Sequence, residues 1–418
     1  MVPKVLGYSL RKNKTVQFSP KEAVTVTTLN DMKVNLDLGA NTVFLSNKYE
    51  AAKFSWFETP KKIEFKNLVV FLTLNCNMHC NYCYVGAPRK IDNNVKFIED
   101  FFKVTSPYAT SDPKVLLFGG EPTLRMDLVK RSSELAKTYF ISPRLAMTSN
   151  GILSEEIRNT LFNTLDTFSI SYAGTKKLQM TERPSNIPNY VKKVEDSITY
   201  FSNKMPDSFD VKITLTENKL QLIDDIVENL TRIGVKRVVL NPILSLGKGT
   251  ACAFSGENKM TDINKFIEFT EKLEAVGIDA TGRLSDFLQM DKFHLGCGAG
   301  YTGATLLPDG MISACYLWLG KEIPHIYPET KFFQIGDVAQ KKELYLDKIN
   351  DLMNFHKKNG NKCKTCPTYS SCNSCLLYWR EKAEGVFEMN DPMCSDIQNL
   401  HRALYQHFAK KLLVENEA

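Results

Sequence analysis

The chain has 418 residues, 43% of them hydrophobic, and a formal charge of +6. That length admits more than one domain, and the apolar share is enough for a sizeable core. The charge is too modest, and the basic residues too scattered, to call for a nucleic-acid partner. No apolar run approaches the roughly 20 residues of a membrane span.

The N-terminus, Met1-Val2-Pro3-Lys4, lacks the long apolar segment of a signal peptide. The sequence therefore reads as cytoplasmic, where its 11 Cys would stay reduced rather than pair. Three of them lie at 76–83, one at 252 and seven between 297 and 394. Such grouping suits metal ligands better than a disulfide framework.

Residues 1–66 are strand-prone. Alternating or β-branched runs at 5–10, 15–19, 23–29, 32–38 and 42–45 are punctuated by Asn30-Asp31 and Gly39-Ala40-Asn41. One short helix is expected around 48–54. This reads as a β-rich extension, either a peptide-recognition unit or a cap on the next domain.

From 67 to about 245 strand-like and helical runs alternate, the pattern of a parallel α/β sheet. Strands are expected at 68–74, 114–118, 144–149, 166–171, 210–216 and 236–241. Helices are expected at 92–104, 124–138, 152–163, 187–203, 219–232 and 259–275. In such folds ligands gather at the C-terminal ends of the strands.

The first strand runs into Cys76-Asn77-Met78-His79-Cys80-Asn81-Tyr82-Cys83. Three thiolates at this spacing converge only if the backbone wraps a compact object, and clustered thiolates favour soft metals. Zinc and buried free thiols are the plainer alternatives. After the second strand comes Phe118-Gly119-Gly120-Glu121-Pro122-Thr123, whose glycines let backbone approach a ligand. Glu121 also suits a helix start. After the third comes Thr148-Ser149-Asn150-Gly151, in which Ser149 or Asn150 could cap the next helix. After the fourth, Ser171 is followed twelve residues later by Arg183, and after the fifth stands Thr216-Glu217-Asn218.

The C-terminal third holds Cys297, Cys315, Cys363-x2-Cys366-x5-Cys372-x2-Cys375 and Cys394. Pro308-Asp309-Gly310 predicts a hairpin between Cys297 and Cys315. Seven thiols so spaced suit two iron–sulfur clusters, or two zinc sites with His294 or His356 as an eighth ligand. Asp309, Tyr301 and Tyr316 are candidate pocket residues beside the hairpin. The stretch 395–413 repeats apolar residues at helical spacing and reads as a packing helix.

Cys76-x3-Cys80-x2-Cys83, with Tyr82 before the last cysteine, resembles the signature of the radical S-adenosylmethionine (radical SAM) enzymes. The seven later cysteines resemble the SPASM extension of that family, and the likeness covers about 67–394. It implies a partial (β/α)6 barrel at 67–288, a cysteine-rich SPASM domain at 289–395 and a closing helix at 396–418.

It also implies roles. Cys76, Cys80 and Cys83 would hold a 4Fe–4S cluster whose open iron binds SAM, giving a 5′-deoxyadenosyl radical that abstracts hydrogen from a substrate. Tyr82, Gly119, Gly120, Glu121, Ser149, Asn150, Ser171, Arg183 and Asn218 would contact SAM. Cys297, Cys315 and Cys375 would hold one auxiliary cluster, and Cys363, Cys366, Cys372 and Cys394 a second, three clusters in all. The chain departs from the family at Ala173, where many relatives have Asp. It departs again in the two residues between Cys372 and Cys375, where three are usual. No cysteine just before Cys297 supplies the first auxiliary cluster with a fourth ligand, and Cys252 stays unassigned.

The function so implied is a maturase of a ribosomally made, Cys-containing peptide, forming a thioether or C–C cross-link, with flavodoxin or ferredoxin as electron donor. The alternative is an anaerobic sulfatase-maturing enzyme that makes formylglycine. A non-catalytic iron–sulfur or zinc peptide-binding protein is the reading from a different class.

Overall fold

A computed structural model describes residues 62–86, 88–242, 259–280, 298–319, 333–359, 376, 379–383, 386–389 and 394–395, and three strands between 23 and 47. Those strands, β1 (Ala23–Thr27), β2 (Met32–Asp37) and β3 (Thr42–Asn47), form an antiparallel meander in sequence order. They fall on three of the five strands expected in the N-terminal extension. The runs at 5–10 and 15–19, the helix at 48–54 and the C-terminal packing helix lie outside the described residues.

Six parallel strands follow and pair in chain order. They are β4 (Phe65–Thr73), β5 (Ala109–Gly119), β6 (Arg144–Ser149), β7 (Thr167–Ser171), β8 (Phe209–Leu215) and β9 (Val238–Pro242). Each coincides with an expected strand to within a few residues. The connections carry α1 (Val95–Thr105), α2 (Met126–Tyr139), α3 (Glu155–Thr164), α4 (Lys176–Glu182) and α5 (Tyr190–Lys204). They continue with α6 (Glu217–Leu220), α7 (Ile223–Arg232) and α8 (Lys259–Ala275). The sequence expectation of one helix over 219–232 is corrected: the chain breaks at Leu222, whose φ of −121° and ψ of 30° leave the helical region. Helix α4 was not expected at all.

Local chemistry explains these elements. Asn94 starts α1 by accepting from the Phe97 N–H at 2.9 Å, and Ile98, Phe101 and Phe102 form its buried face. Ser154 caps α3 in the same way, accepting from Ile157. In β4 alternate residues serve two cores. Leu68, Val70 and Leu72 pack with the helices, whereas Val69 and Phe71 join Leu307 and Leu319 on the other face. In β8, Val211, Ile213 and Leu215 are buried while Lys212 and Thr214 are only partly covered. The sheet thus has one apolar face toward helices and, along β6 to β9, one face with polar side chains.

The sheet does not end at the expected barrel boundary. β10 (Gly303–Leu306) pairs parallel to β4, with Gly303 opposite Asn67. It turns through Pro308-Asp309-Gly310 into antiparallel β11 (Met311–Ser313), as the hairpin signal predicts. β12 (Gln334–Asp337) and β13 (Glu343–Leu344) complete ten strands. The helix α9 (Leu346–Asn359) and the hairpin β14 (Trp379–Ala383) and β15 (Val386–Met389) follow. One sheet therefore carries both the first cysteine loop and the turn bearing Cys315. Among the described residues no helix is long and apolar enough to cross a membrane.

Candidate active site

A cavity of about 450 Å³ opens where the parallel strands end. Cys76, Cys80 and Cys83 line it, as do Tyr82, Gly119, Gly120, Ser149, Asn150, Ser171 and Arg183. Residues from the loops after β4, β5, β6, β7 and α4 thus meet at one place. Among the described residues no three His, Cys, Asp or Glu side chains close on a point as ligands of one metal ion do. The three thiols instead share the wall of this cavity.

The cysteine loop is held from outside by the end of α4 and the turn after it. His79 N–H donates to the Pro184 carbonyl at 2.8 Å, and Asn81 N–H to the Glu182 carbonyl at 2.9 Å. The Asn81 side chain donates to the Thr181 carbonyl at 2.9 Å. Ser185 Oγ donates to the Asn77 carbonyl at 2.6 Å. The loop therefore keeps its shape without a regular element of its own.

The glycine pair makes the next contact possible. Gly120 N–H donates to the Thr73 carbonyl and Glu121 N–H to the Asn75 carbonyl, both at 2.8 Å. A Cβ on Gly119 would sit 2.1 Å from Thr73 O, and one on Gly120 would sit 2.2 Å from Asn75 O. Gly119 also has φ of +145°, which side chains rarely allow.

Glu121 faces inward rather than into the cavity. Its fully buried carboxylate accepts from Thr123 N–H at 3.1 Å, Thr123 Oγ1 at 2.7 Å, Ser149 Oγ at 2.9 Å and Asn150 N–H at 2.6 Å. Burial pushes its pKa up, and these donors oppose the shift. Asn150 then donates through Nδ2 to Asn77 Oδ1 at 2.5 Å, with Cys76 Sγ 3.9 Å away. A relay thus runs from the Gly-Gly-Glu-Pro turn through the Ser149-Asn150 turn to the cysteine loop.

Arg183 is buried against Tyr82, donating through Nη1 to the hydroxyl at 3.4 Å. Its Nη2 lies 3.9 Å from Met78 Sδ, and its Nε has no partner. Burial works against its charge, but Cys80 and Tyr82 outweigh this and hold its pKa above the ordinary value. Burial pushes the Cys76 thiol up to about 12, with Glu121 adding to the shift. It raises Cys80 as well, opposed by Arg183 and Lys219. Burial thus favours the protonated thiols of Cys76 and Cys80, and a metal must displace those protons to bind.

Asn218 is exposed on α6 and does not line the cavity. Ala173 is fully buried, and its N–H donates to Gln179 Oε1 at 2.9 Å, so the loop after β7 keeps its form without the missing Asp. Cys315 follows β11, and its neighbours Tyr316 and Leu317 line the cavity. Tyr301 is buried in the core, and Asp309 serves the hairpin turn, accepting from Met311 N–H at 3.0 Å. Cys394 is partly buried. Cys252, Cys297, Cys363, Cys366, Cys372 and Cys375 lie outside the described residues. Sequence reasoning missed Thr148, Lys212, Thr214 and Asn241, which also line the cavity. The alternation Val211-Lys212-Ile213-Thr214-Leu215 was the signal that marks two of them.

The Radical SAM superfamily model matches residues 70–228. The chain carries a radical SAM domain. Fe-coproporphyrin III synthase from Methanosarcina barkeri is 21% identical to this chain over 365 residues, 79% of the chain and 88% of that protein. GTP 3′,8-cyclase from Clostridium botulinum is 29% identical over 192 residues, 44% of the chain and 58% of the cyclase, so the match spans under two thirds of it. In fold, the chain is similar to native anSMEcpe with bound AdoMet and Cp18Cys peptide, at a TM-score of 0.64 and 15% identity. That likeness covers 84% of this chain and 99% of the other. Streptococcus suis SuiB bound to precursor peptide SuiA gives 0.54 and 17%, covering 75% and 72%.

The donor set fits a radical SAM cluster and its cofactor. Soft thiols line a cavity that also exposes a glycine-freed backbone. A buried guanidinium with an unpartnered Nε supplies the cation there.

Proposed function

We propose that the chain is a radical SAM oxidoreductase that removes hydrogen from a residue of a peptide or protein. The observation that carries this is the meeting of Cys76, Cys80, Cys83, the Gly119-Gly120 turn and Arg183 around one cavity. Cys76, Cys80 and Cys83 would hold the cluster, and the turns at Gly119, Ser149 and Ser171 with Arg183 would hold SAM. When bound, that pair supplies a 5′-deoxyadenosyl radical that abstracts hydrogen.

The protein's own part is aim and exclusion. The Arg183 guanidinium would clamp a carboxylate. The Gly119-Gly120 turn lines the cavity with backbone, and its lack of side chains lets it pack directly on Thr73 and Asn75 beside the cysteine loop. Lys212 donates to Thr148 at 3.0 Å on the cavity wall, and with Thr214 and Asn241 gives a polar surface for a peptide's carbonyls. Leu116, Phe118 and Val85 add apolar side chains to the lining, which limits water near a reactive centre.

Side-chain oxidation of Cys or Ser to formylglycine now stands ahead of thioether or C–C cross-linking. The support is the fold likeness to anSMEcpe, a name of the anaerobic sulfatase-maturing enzymes, which is closer and more complete than that to SuiB. The peptide partners named with both structures support a peptide substrate. The seven later cysteines would hold two auxiliary 4Fe–4S clusters, residues 1–66 would contact the substrate, and a flavodoxin or ferredoxin would deliver electrons.

Anaerobic reconstitution with iron and sulfide, then reduction with SAM, tests the proposal. 5′-Deoxyadenosine should form. Incubation with Cys- and Ser-containing peptides should then yield an aldehyde that hydrazine traps. A cross-link mapped by tandem mass spectrometry would restore the maturase order. Cleavage of SAM that only an iron tetrapyrrole stimulates, and no peptide does, would remove the peptide substrate.

A further inference from the structure

One buried charge at this site touches neither the cavity nor solvent. Lys219, on α6 just after β8, is fully buried. Its ammonium is paired with Glu182, the last residue of α4, whose other oxygen accepts from Thr216 Oγ1 at 2.8 Å. The same ammonium lies 5.1 Å from the centre of the Tyr82 ring. Glu182 also offers its carbonyl to Asn81 N–H, next to Cys80.

An ion pair is an expensive way to fill this space. Desolvating both charges costs several kcal/mol, and apolar side chains would pack against Tyr82 at less cost. Lys219 is absent from the cavity wall, so it does not bind a ligand directly. What a buried cation does supply is a field, which is strong where water is excluded. Its cation–π contact fixes the Tyr82 ring, and so places a positive charge behind the residue that lies between Cys80 and Cys83. Arg183 faces the cavity, where a bound carboxylate would neutralise it. Lys219 keeps its effect whatever occupies the cavity.

We infer that Lys219, charge-balanced by Glu182 behind the Tyr82 ring, is a positioning residue that raises the reduction potential of the cluster bound at Cys80. This rests on the cluster assignment proposed above. Reduction adds negative charge to an iron–sulfur cluster, and a nearby buried cation favours the reduced form. Glu182 lowers the cost of burying the cation, and its two carboxylate oxygens are taken up by Lys219 and Thr216.

The test is a potentiometric titration of the anaerobically reconstituted full chain, followed by electron paramagnetic resonance. Lys219→Met combined with Glu182→Gln removes both charges and leaves no buried ion unpaired. Its midpoint should fall below that of the unaltered protein, and Lys219→Arg alone should keep the original value. An unchanged or higher midpoint in the double variant overturns the inference. So does a double variant that folds by circular dichroism but holds no iron, since the pair would then only brace the loop. If the unaltered chain assembles no cluster, the proposed function falls and takes this inference with it. The iron content of that protein tells the two cases apart.

Discussion

Ser149 donates its hydroxyl to Glu121 Oε1 at 2.9 Å, tying the turn after β5 to the turn after β6. The carboxylate at the centre of that tie accepts four hydrogen bonds from three residues and lies wholly inside. Its job in this fold is to join loops. Glu121→Ala should therefore lower folding stability by about 3 kcal/mol or more, because buried donors lose a charged acceptor. Glu121→Gln keeps one carbonyl oxygen and should cost about 1–2 kcal/mol. Urea unfolding of the metal-free protein measures both. Equal and small losses would show that the tie contributes little.

The glycine turn makes a second, sharper prediction. Gly120→Ala places a Cβ 2.2 Å from the Asn75 carbonyl, and the nearest atoms are backbone, which yields least. The two chains must separate, breaking the Gly120–Thr73 and Glu121–Asn75 hydrogen bonds. A cost of about 3 kcal/mol is expected, with the cysteine loop displaced. Thermal unfolding gives the first part, and the iron bound after reconstitution gives the second. Gly234→Ala is the control, since nothing lies within 4 Å of a Cβ there. Its positive φ of 76° leaves a smaller, purely backbone penalty.

What the sequence made legible follows from how local each signal is. The strands β4 to β9 were readable because apolar and β-branched runs bounded by turns need no partner to be recognised. The Pro308-Asp309-Gly310 hairpin was readable for the same reason. The anchoring of the cysteine loop was not. Asn81 meets Thr181 across 100 residues of chain, and most of the contacts end on backbone carbonyls that leave no mark in the sequence. The break at Leu222 escaped because Leu220, Ile223, Ile226 and Leu230 keep a helical period across it. The inward aim of Glu121 was equally hidden. A glutamate in a Gly-Gly-Glu-Pro turn looks like a ligand contact, and only the packing of Thr123 and Ser149 around it shows what it holds.

Arg183 separates charge from shape. Lysine at this position would keep a cation but lose the planar fork that suits a carboxylate. Arg183→Lys should weaken SAM binding by about tenfold or more, equivalent to about 1.4 kcal/mol. Calorimetry on anaerobically reconstituted protein reads it directly. The bond to Tyr82 at 3.4 Å is long and contributes little, so the fold should tolerate the change. Full SAM affinity in the lysine variant would move the carboxylate contact elsewhere on the cavity wall.

The metal count divides the two cysteine regions. Cys76, Cys80 and Cys83 are only partly buried, so replacing all three with Ala should leave the fold largely intact while removing one binding site. Their thiols are held protonated by burial at Cys76 and Cys80, and only a strongly bound soft metal recovers the cost of displacing those protons. If the seven later cysteines hold two further clusters, the unaltered chain should bind about twelve irons and the triple variant about eight. The triple variant should also lose all cleavage of SAM while keeping the visible absorbance of the remaining clusters. A chain that binds only about four irons, with zinc making up the rest, would assign the later cysteines to structural zinc sites. In that case electrons leaving the substrate would have to return to the cluster at Cys76, Cys80 and Cys83 or to an external acceptor. Return to that cluster would re-reduce it, so turnover would then continue without an added acceptor.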